Sequence, residues 1–531
     1  MARLLAGTVR PLVRAALSPG YDRFLRSLEE PALAQERCLR AIVEGMAATE
    51  YGRSLRLESG DGVEAFRAKV PAVGYDELAP WLERQRREPG ARVLAPEPVR
   101  FFEKTSGSSG SAKYIPYTRG LLGSFSRMAS HWFCDLLTHG PRFRTGMIYM
   151  SVSPALREEP GVGLEDDSGY LSGFLGPLVR SRLAVSTQVK RLGDSELFHR
   201  VTCAQLASCR GLEIVFVWNP SLFEGFLDWI LEHREQVASD LARGRVECAG
   251  LRFELPARAG SRERLEAVRS GDFGRIWPEL KLLSAWDEGA SRLAAERLRA
   301  RLPSAFFQGK GLLATEAPVT LPLLAGGVRV PLVDELFLEF EDESGVRSVH
   351  ELEDGKSYSL LISQRGGLLR YRLGDTVRAS GRVGRTPGLE FLGRASGVSD
   401  LVGEKLSDSF VAGALGELAR SSFPGGVAPW MALAPSGLEE RRPGYVLVVD
   451  GPAGALGPAL DAALSAGHHY RYARWLGQLR EARVVSAPGA RDAYFAVFLA
   501  RGMRLGDIKP GALVSRAEDA RELFARLGLR V

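Results

Sequence analysis

The nine residues Thr105-Ser106-Gly107-Ser108-Ser109-Gly110-Ser111-Ala112-Lys113 carry the clearest chemistry in the chain. Glycines let a backbone approach a ligand closely. Successive N–H groups and hydroxyls in such a loop make an anion-binding concavity, and the lysine adds a compact positive charge suited to phosphate. A flexible Ser/Gly linker would have the same composition, but Phe101-Phe102 and Tyr114-Ile115-Pro116-Tyr117 clamp this stretch on both sides. A Walker loop needs G-x-x-x-x-G-K-[ST]. Here the glycines stand three apart, Lys113 follows Gly110 by three, and Tyr114 takes the place of the Mg²⁺-binding hydroxyl.

A second glycine pattern, Gly309-Lys310-Gly311-Leu312-Leu313-Ala314, fits a dinucleotide fingerprint, with Asp334 twenty residues beyond. Pro318 and Pro322 follow it closely, and they prevent the long helix that should meet a pyrophosphate. The NAD reading fails there.

The order T-S-G-S-S-G-x-x-K resembles the phosphate loop of the adenylate-forming superfamily. Three further segments agree with it in order. The run ending Ala314-Thr315-Glu316 resembles the motif whose glutamate holds Mg²⁺. Tyr371-Arg372-Leu373-Gly374-Asp375 resembles the motif whose aspartate accepts ribose hydroxyls, and Gly393-Arg394 resembles the hinge entering a small C-terminal domain. Across about residues 100–510, the chain more closely resembles the Gretchen Hagen auxin-responsive family of acyl-acid amido synthetases, nearer its bacterial members. The shared features are Gln308–Glu316, Trp277-Pro278 with Leu280–Ser284, Tyr371–Asp375 and Gly506–Pro510.

That resemblance implies an α/β fold: a large N-terminal adenylation domain with mixed sheets and a β-subdomain (1–395), a hinge (396–403) and a smaller α+β domain (404–531). It implies ATP and Mg²⁺ as cofactors, the loop Thr105–Lys113 on the phosphates, Glu316 on the metal, Asp375 on the ribose, and Lys405 and Lys509 as candidate catalytic contacts. The reaction would activate a carboxylic acid as its acyl-adenylate and pass the acyl group to an amine, an amino acid being the favoured acceptor. Transfer to CoA or a carrier thiol stays open, as does a nucleotide-binding protein without turnover.

Composition bounds the rest. At 531 residues the chain is too long for one simple core. Seventy basic against 64 acidic residues give a net charge of +6, without the concentrated patches and interleaved aromatics of nucleic-acid binders. The five cysteines form no C-x-x-C pair, which disfavours structural zinc and a disulfide framework and fits a cytoplasmic location. No apolar run near the N-terminus is long enough for a signal sequence or a membrane span. Leu4, Leu5, Val9, Leu12 and Val13 are spaced for an amphipathic helix, with packing on the body the favoured use and membrane contact the alternative. Only nine of the basic residues are lysine, so those that survive, Lys104, Lys113, Lys310, Lys405 and Lys509 among them, mark places where a slim ammonium is needed.

The elements that must position these groups follow from periodicity. Helices are expected over Phe24–Met46, Tyr75–Leu82, Gly120–Leu137 directly after the loop, Ser195–Cys209 and Phe223–Leu231. Strands are expected at Thr145–Ser153, at Leu212–Val217 and within Ile276–Trp286 after a turn, and strand–helix alternation argues for α/β architecture. Glu158–Tyr170 reads as a surface loop or lid, and Arg262–Arg269 as a solvated helical face. Short strands follow Asp334, and a smaller unit after Lys405 ends with expected strands at Ala482–Val485 and Tyr494–Leu499. His199 and His233 read as structural. Trp218, Phe223 and Trp286 read as core, with the acid pocket as a second use.

Overall fold

The computed structural model describes residues 2–106, 112–150, 175–192, 194–248, 250–256, 260–288, 291–394, 397–423, 429–453, 456–500 and 511–530. The chain falls into two units, one of Met1–Lys104 with Tyr114–Gly393 and one of Thr105–Lys113 with Arg394–Val531.

The centre of the first unit is a parallel sheet in the order Met147–Met150, Leu212–Phe216, Leu282–Ala285, Phe306–Gly309. Its two middle strands are almost entirely buried, as expected where helices cover both faces of a parallel sheet. The helices Ser195–Ser208, Pro220–Glu232 and Arg292–Arg301 lie between these strands in sequence. Arg264, on the helix Arg262–Ser270, departs from the solvated face expected there. Its guanidinium is buried and donates to the carbonyls of Ile276 and Ala207, tying two segments that have spare acceptors. His199 is buried against Phe226, and His233 stacks on Trp229.

The β-rich part is an antiparallel sheet ordered Gly345–Ser348, Phe337–Asp342, Ser357–Ser363, Tyr371–Val383, Thr386–Arg394. The helix Pro31–Met46 is fastened to it by one buried amide. Gln35 Nε2 donates to the carbonyls of Val333 and Leu336 at 2.7 and 2.6 Å, while its Oε1 accepts from Leu338 N at 2.8 Å. The first helix, Ala2–Glu29, packs on Arg119–His139 through Tyr21, whose hydroxyl donates to Asp135 at 2.7 Å. Tyr21, Phe24 and Leu28 are buried, whereas Leu12 remains exposed. Arg10 Nη2 also donates to Leu137 O at 2.6 Å on the same partner helix.

In the second unit Met431–Ser436 pairs antiparallel with Gly444–Val449, which pairs parallel with Arg483–Ser486. Alternation splits the apolar residues between two faces. Leu433, Tyr445, Leu447 and Val449 join the core that holds Val411, Leu415, Leu456 and Leu460. Ala432, Ala434, Val446 and Val448 join Tyr494, Val497, Leu523 and Phe524. The expected strand Tyr494–Leu499 is instead part of the helix Ala490–Ala500, with Tyr494 and Val497 on its buried side. A short apolar run reads equally well at either period. The expected lid Glu158–Tyr170 lies outside the described residues.

Candidate active site

Two paired strands flank the Ser/Gly loop. Phe101–Ser106 leads into it and Ala112–Tyr117 leads out. The expected helix thus does not leave the loop directly. Pro116 and the pairing of this strand intervene, and the helix Arg119–His139 starts only after Thr118, whose hydroxyl caps Leu121 N at 3.2 Å. Thr105 and Ser106 close the first strand, and Lys113 lies in the second, whereas Gly107, Ser108, Ser109 and Gly110 lie outside the described residues.

The outgoing strand is held along its length. Tyr114 N donates to the Tyr75 hydroxyl at 3.0 Å, and the Arg86 guanidinium lies over the Tyr114 ring at 4.1 Å. At its end, Tyr117 stacks on Phe101 with ring centroids 4.9 Å apart. The Tyr117 hydroxyl donates to the Thr315 carbonyl at 2.7 Å.

Thr315 and Glu316 are the two tip residues of a tight turn. Ala314 and Ala317 close it with reciprocal backbone hydrogen bonds of 3.0 and 3.2 Å. Glu316 is buried. No helix follows; the chain goes into the strand Thr320–Leu323, as Pro318 and Pro322 require. Gly311 has a local reason to be glycine, because a Cβ there would run into the Thr320 carbonyl and hydroxyl. Gly309 is crowded in the same way by Asp287 and Arg329. The glycine spacing reflects strand packing rather than a dinucleotide site.

Asp375 lies on Tyr371–Val383 where the ladder breaks. Arg372 pairs with Leu361 and Thr376 with Ser359, so Leu373, Gly374 and Asp375 stand opposite Leu360 alone. Gly374 adopts φ +82°, which glycine takes without strain. Such a bulge re-aims the following side chain, and Asp375 is buried. The start of this strand is locked by Arg370, whose Nε donates to Glu339 at 2.8 Å and whose Nη1 donates to Val70 O at 2.9 Å.

The structure places Ala314, Thr315, Glu316 and Asp375 in the first unit. Ile115, Tyr117, Ala317 and Leu373, which flank the loop strand, the turn and the bulge, share one apolar core. The residues Thr105–Lys113, Arg394 and Lys405 fall in the second unit. Arg394 ends the strand Thr386–Arg394. Lys405 has a left-handed backbone, φ +47°, at the end of a tightly braced loop. Glu404 accepts from Leu401 N and Val402 N at 2.8 Å each and from the Tyr445 hydroxyl, and Asp400 accepts from Gly403 N at 2.7 Å. Burial pushes the Glu404 carboxyl well above the usual range. Lys509 lies outside the described residues.

Alongside the turn, a cleft opens among Met128, Trp132, Phe216, Trp218, Lys310 and Leu313. Trp218 lines it and packs on Trp286, whereas Phe223 is fully in the core. Lys310, Trp132, Ser284 and Gln308 belong to this region and were not among the expected site residues. For Lys310 the scarcity of lysine was the available signal. No group of three potential metal ligands occurs among the described residues, and none of their helices is long and apolar enough to cross a membrane.

Residues 20–305 match the GH3 family N-terminal domain and residues 331–394 the GH3 family central domain. The chain belongs to the GH3 family. Among its GH3 relatives, a putative indole-3-acetic acid-amido synthetase of Oryza sativa subsp. japonica, GH3.10, is 23% identical over 430 residues, covering 75% of this chain and 86% of the relative. The indole-3-acetic acid-amido synthetase GH3.8 of Oryza sativa subsp. indica is 25% identical over 453 residues, covering 76% and 73%. The solved structure of AtGH3.15 acyl acid amido synthetase in complex with 2,4-DB superposes with a TM-score of 0.62 at 18% identity, covering 95% of each chain. A second GH3.15 structure gives 0.60 at 17% identity, covering 94% of this chain and 95% of that one. The shared fold is that of a large N-terminal domain with mixed helix and sheet and a smaller C-terminal part.

Proposed function

We infer that this chain is an AMP-forming ligase that activates a carboxylic acid as its acyl-adenylate and transfers the acyl group to an amine, forming an amide. The observation that carries the reading is the bond from Tyr117 to Thr315. It couples the strand leaving the hydroxyl-glycine loop to the turn that presents Glu316, in a chain whose GH3 relatives are named amido synthetases.

The residues present fit ATP with Mg²⁺. Mg²⁺ on a nucleotide keeps most of its coordination from phosphates and water and asks the protein for one or two carboxylates. Glu316, a single hard oxygen donor at a turn tip, meets that demand without a clustered ligand set. The metal, when bound, neutralises charge on the phosphates. Asp375 offers two acceptor oxygens to a ribose diol. The backbone and hydroxyls of Thr105–Gly110, with Lys113, are assigned to the phosphates, where negative charge builds up as a carboxylate approaches. Lys405 and Lys509 are assigned to anionic contacts from the C-terminal side, and Arg394 with residues 396–403 to the hinge. Hinge movement would let one cleft serve both half-reactions and exclude the water that hydrolyses an adenylate. No Ser-His-Asp or Cys-His set is needed, because AMP is the leaving group.

The acceptor is tested by incubating the full chain with ATP, Mg²⁺ and a panel of acids, offering either the amino acids or CoA, and reading products by mass spectrometry. Acyl-amino acids are expected. A thioester formed in preference to every amide would overturn the amide assignment.

A further inference from the structure

In the second unit the strands Val398–Ser399 and Leu406–Ser407 pair antiparallel, and residues 400–405 form the loop between them. A pairing this short is too weak to fix a loop, so the loop's own carboxylates do it. Glu404 accepts from Leu401 N and Val402 N at 2.8 Å each, and Asp400 accepts from Gly403 N at 2.7 Å. Consecutive backbone donors are thereby held by charge-assisted bonds, the stronger kind. The chain is held again just past Lys405. Ser407 Oγ caps Phe410 N at 3.2 Å. Asp408 N donates to Gly397 O at 2.8 Å, and Asp408 Oδ1 accepts from Leu513 N at 2.8 Å.

Glu404 itself depends on a donor from outside the loop. It is 2% exposed, and its neighbours Val402 and Leu406 belong to the apolar core that holds Val411 and Leu447. A carboxylate buried there is costly unless it is hydrogen-bonded. The Tyr445 hydroxyl donates to Glu404 and lies 2.8 Å from Ser399 Oγ. Tyr445 stands in Gly444–Val449, the middle strand of its sheet, and every residue of that strand is buried. A group carried on a rigid strand fixes its partner more closely than one carried on a loop. One hydroxyl therefore ties the residue that enters the loop and the residue that precedes Lys405 to the centre of the unit.

The backbone shows what this bracing serves. Gly403 and Lys405 both adopt positive φ, +103° and +47°. Glycine meets that demand without strain. Residue 405 is instead one of only nine lysines, in a region that non-glycine residues seldom occupy unless their surroundings impose it. Loop conformation alone would favour glycine at both positions, so the lysine is kept for its side chain. We propose that Tyr445 and Glu404 are positioning residues for Lys405: the hydroxyl–carboxylate pair imposes the left-handed backbone that presents its ammonium, and it acts on amide formation through that lysine. The proposal rests on the adenylation reading for what Lys405 contacts, but the brace itself can be read without it.

The test reads brace and turnover separately in the full chain. Tyr445→Phe deletes one hydroxyl and keeps the ring. Amide hydrogen exchange at Leu401 and Val402 should quicken by at least about tenfold, the scale of one charge-assisted hydrogen bond. Amide formation from ATP, Mg²⁺ and the fastest acid–amino acid pair of the panel should fall about five- to tenfold. In a Lys405→Met background the same substitution should change turnover by less than about twofold, because a residue acting through another loses its effect once the other is gone. Product is accumulated over hours to keep slow variants readable, and Lys405→Arg is the background should Lys405→Met form none. Glu404→Gln replaces Tyr445→Phe should that variant fail to fold. Equal losses in the two backgrounds overturn the proposal, since a purely structural role would act in both, and so does turnover that Tyr445→Phe leaves unchanged. Unchanged hydrogen exchange in an active chain overturns the brace and leaves adenylation standing. Quickened hydrogen exchange in a chain that adenylates no acid does the reverse.

Discussion

The Tyr117 hydroxyl and the Thr315 carbonyl, 198 residues apart in sequence, are joined by a 2.7 Å hydrogen bond. The bond fixes where the Glu316 turn sits against the strand that leaves the Ser/Gly loop. Its removal should be felt in positioning more than in folding. Tyr117→Phe keeps the stacking on Phe101 and loses about 1 kcal/mol of hydrogen bonding. Acid-dependent kcat/KM is expected to fall by roughly five- to twentyfold, since small misplacements of reacting groups are costly. Steady-state pyrophosphate exchange checks this, and an unchanged value would show that the tie is only structural.

Asp375 is held at a bulge by Gly374, and its two oxygens are assigned to the ribose. Asp375→Asn should weaken ATP use, and it should do so less for 2′-deoxy-ATP. With the charge gone and one of the two acceptor oxygens replaced by an NH2 donor, the preference for ATP over the deoxynucleotide is expected to shrink by about an order of magnitude, the scale of one charged hydrogen bond. Measuring kcat/KM for both nucleotides in both proteins closes the cycle. Equal losses for the two nucleotides would remove Asp375 from the sugar.

Gly311 tests the packing reason for the glycine pattern. Gly311→Ala drives a methyl into the Thr320 carbonyl and hydroxyl, and Thr320 is itself held because its Oγ1 accepts from Leu312 N at 2.7 Å. The expected loss is about 1–3 kcal/mol of stability, read as a lower urea midpoint. Stability equal to wild type would mean that the Thr320 strand can yield.

Glu288 supplies a pH dependence. Burial lifts its carboxyl from 4.5 to about 7, with Arg329 opposing the rise. In that window the folded chain keeps a proton that the unfolded chain has lost, so stability falls as pH rises and levels off above about 7. Glu288→Gln should flatten the profile across the window and leave the variant more stable than wild type at pH 8. Urea midpoints between pH 5 and 8 read this directly, and parallel profiles for the two proteins would contradict it.

What the sequence made legible was the chemistry written in contiguous residues. Ala314-Thr315-Glu316 and Gly374-Asp375 could be found because a turn tip and a bulge each need a short, fixed run of residue types. The proline positions also ruled out the dinucleotide helix correctly. The cleft beside Lys310 was hidden because Trp132, Ser284 and Gln308 come from three elements, a helix and two strands, that meet only in the fold. Lys310 alone left a trace, as a lysine kept in an arginine-rich chain. The helix Ala490–Ala500 was mistaken for a strand because its buried side is short and apolar. The helix expected over Gly120–Leu137 is present as Arg119–His139, but the strand Ala112–Tyr117 separates it from the loop, a tertiary pairing that local periodicity does not carry.

Acid-dependent exchange of labelled pyrophosphate into ATP isolates the acid activation assigned to Glu316. Exchange is expected only when a suitable acid and Mg²⁺ are both present, and to drop by at least about a hundredfold in Glu316→Ala, the scale of losing a charge-stabilising group. Exchange that ignores the acid, or that survives intact without the Glu316 carboxylate, would rule out acid activation through Glu316.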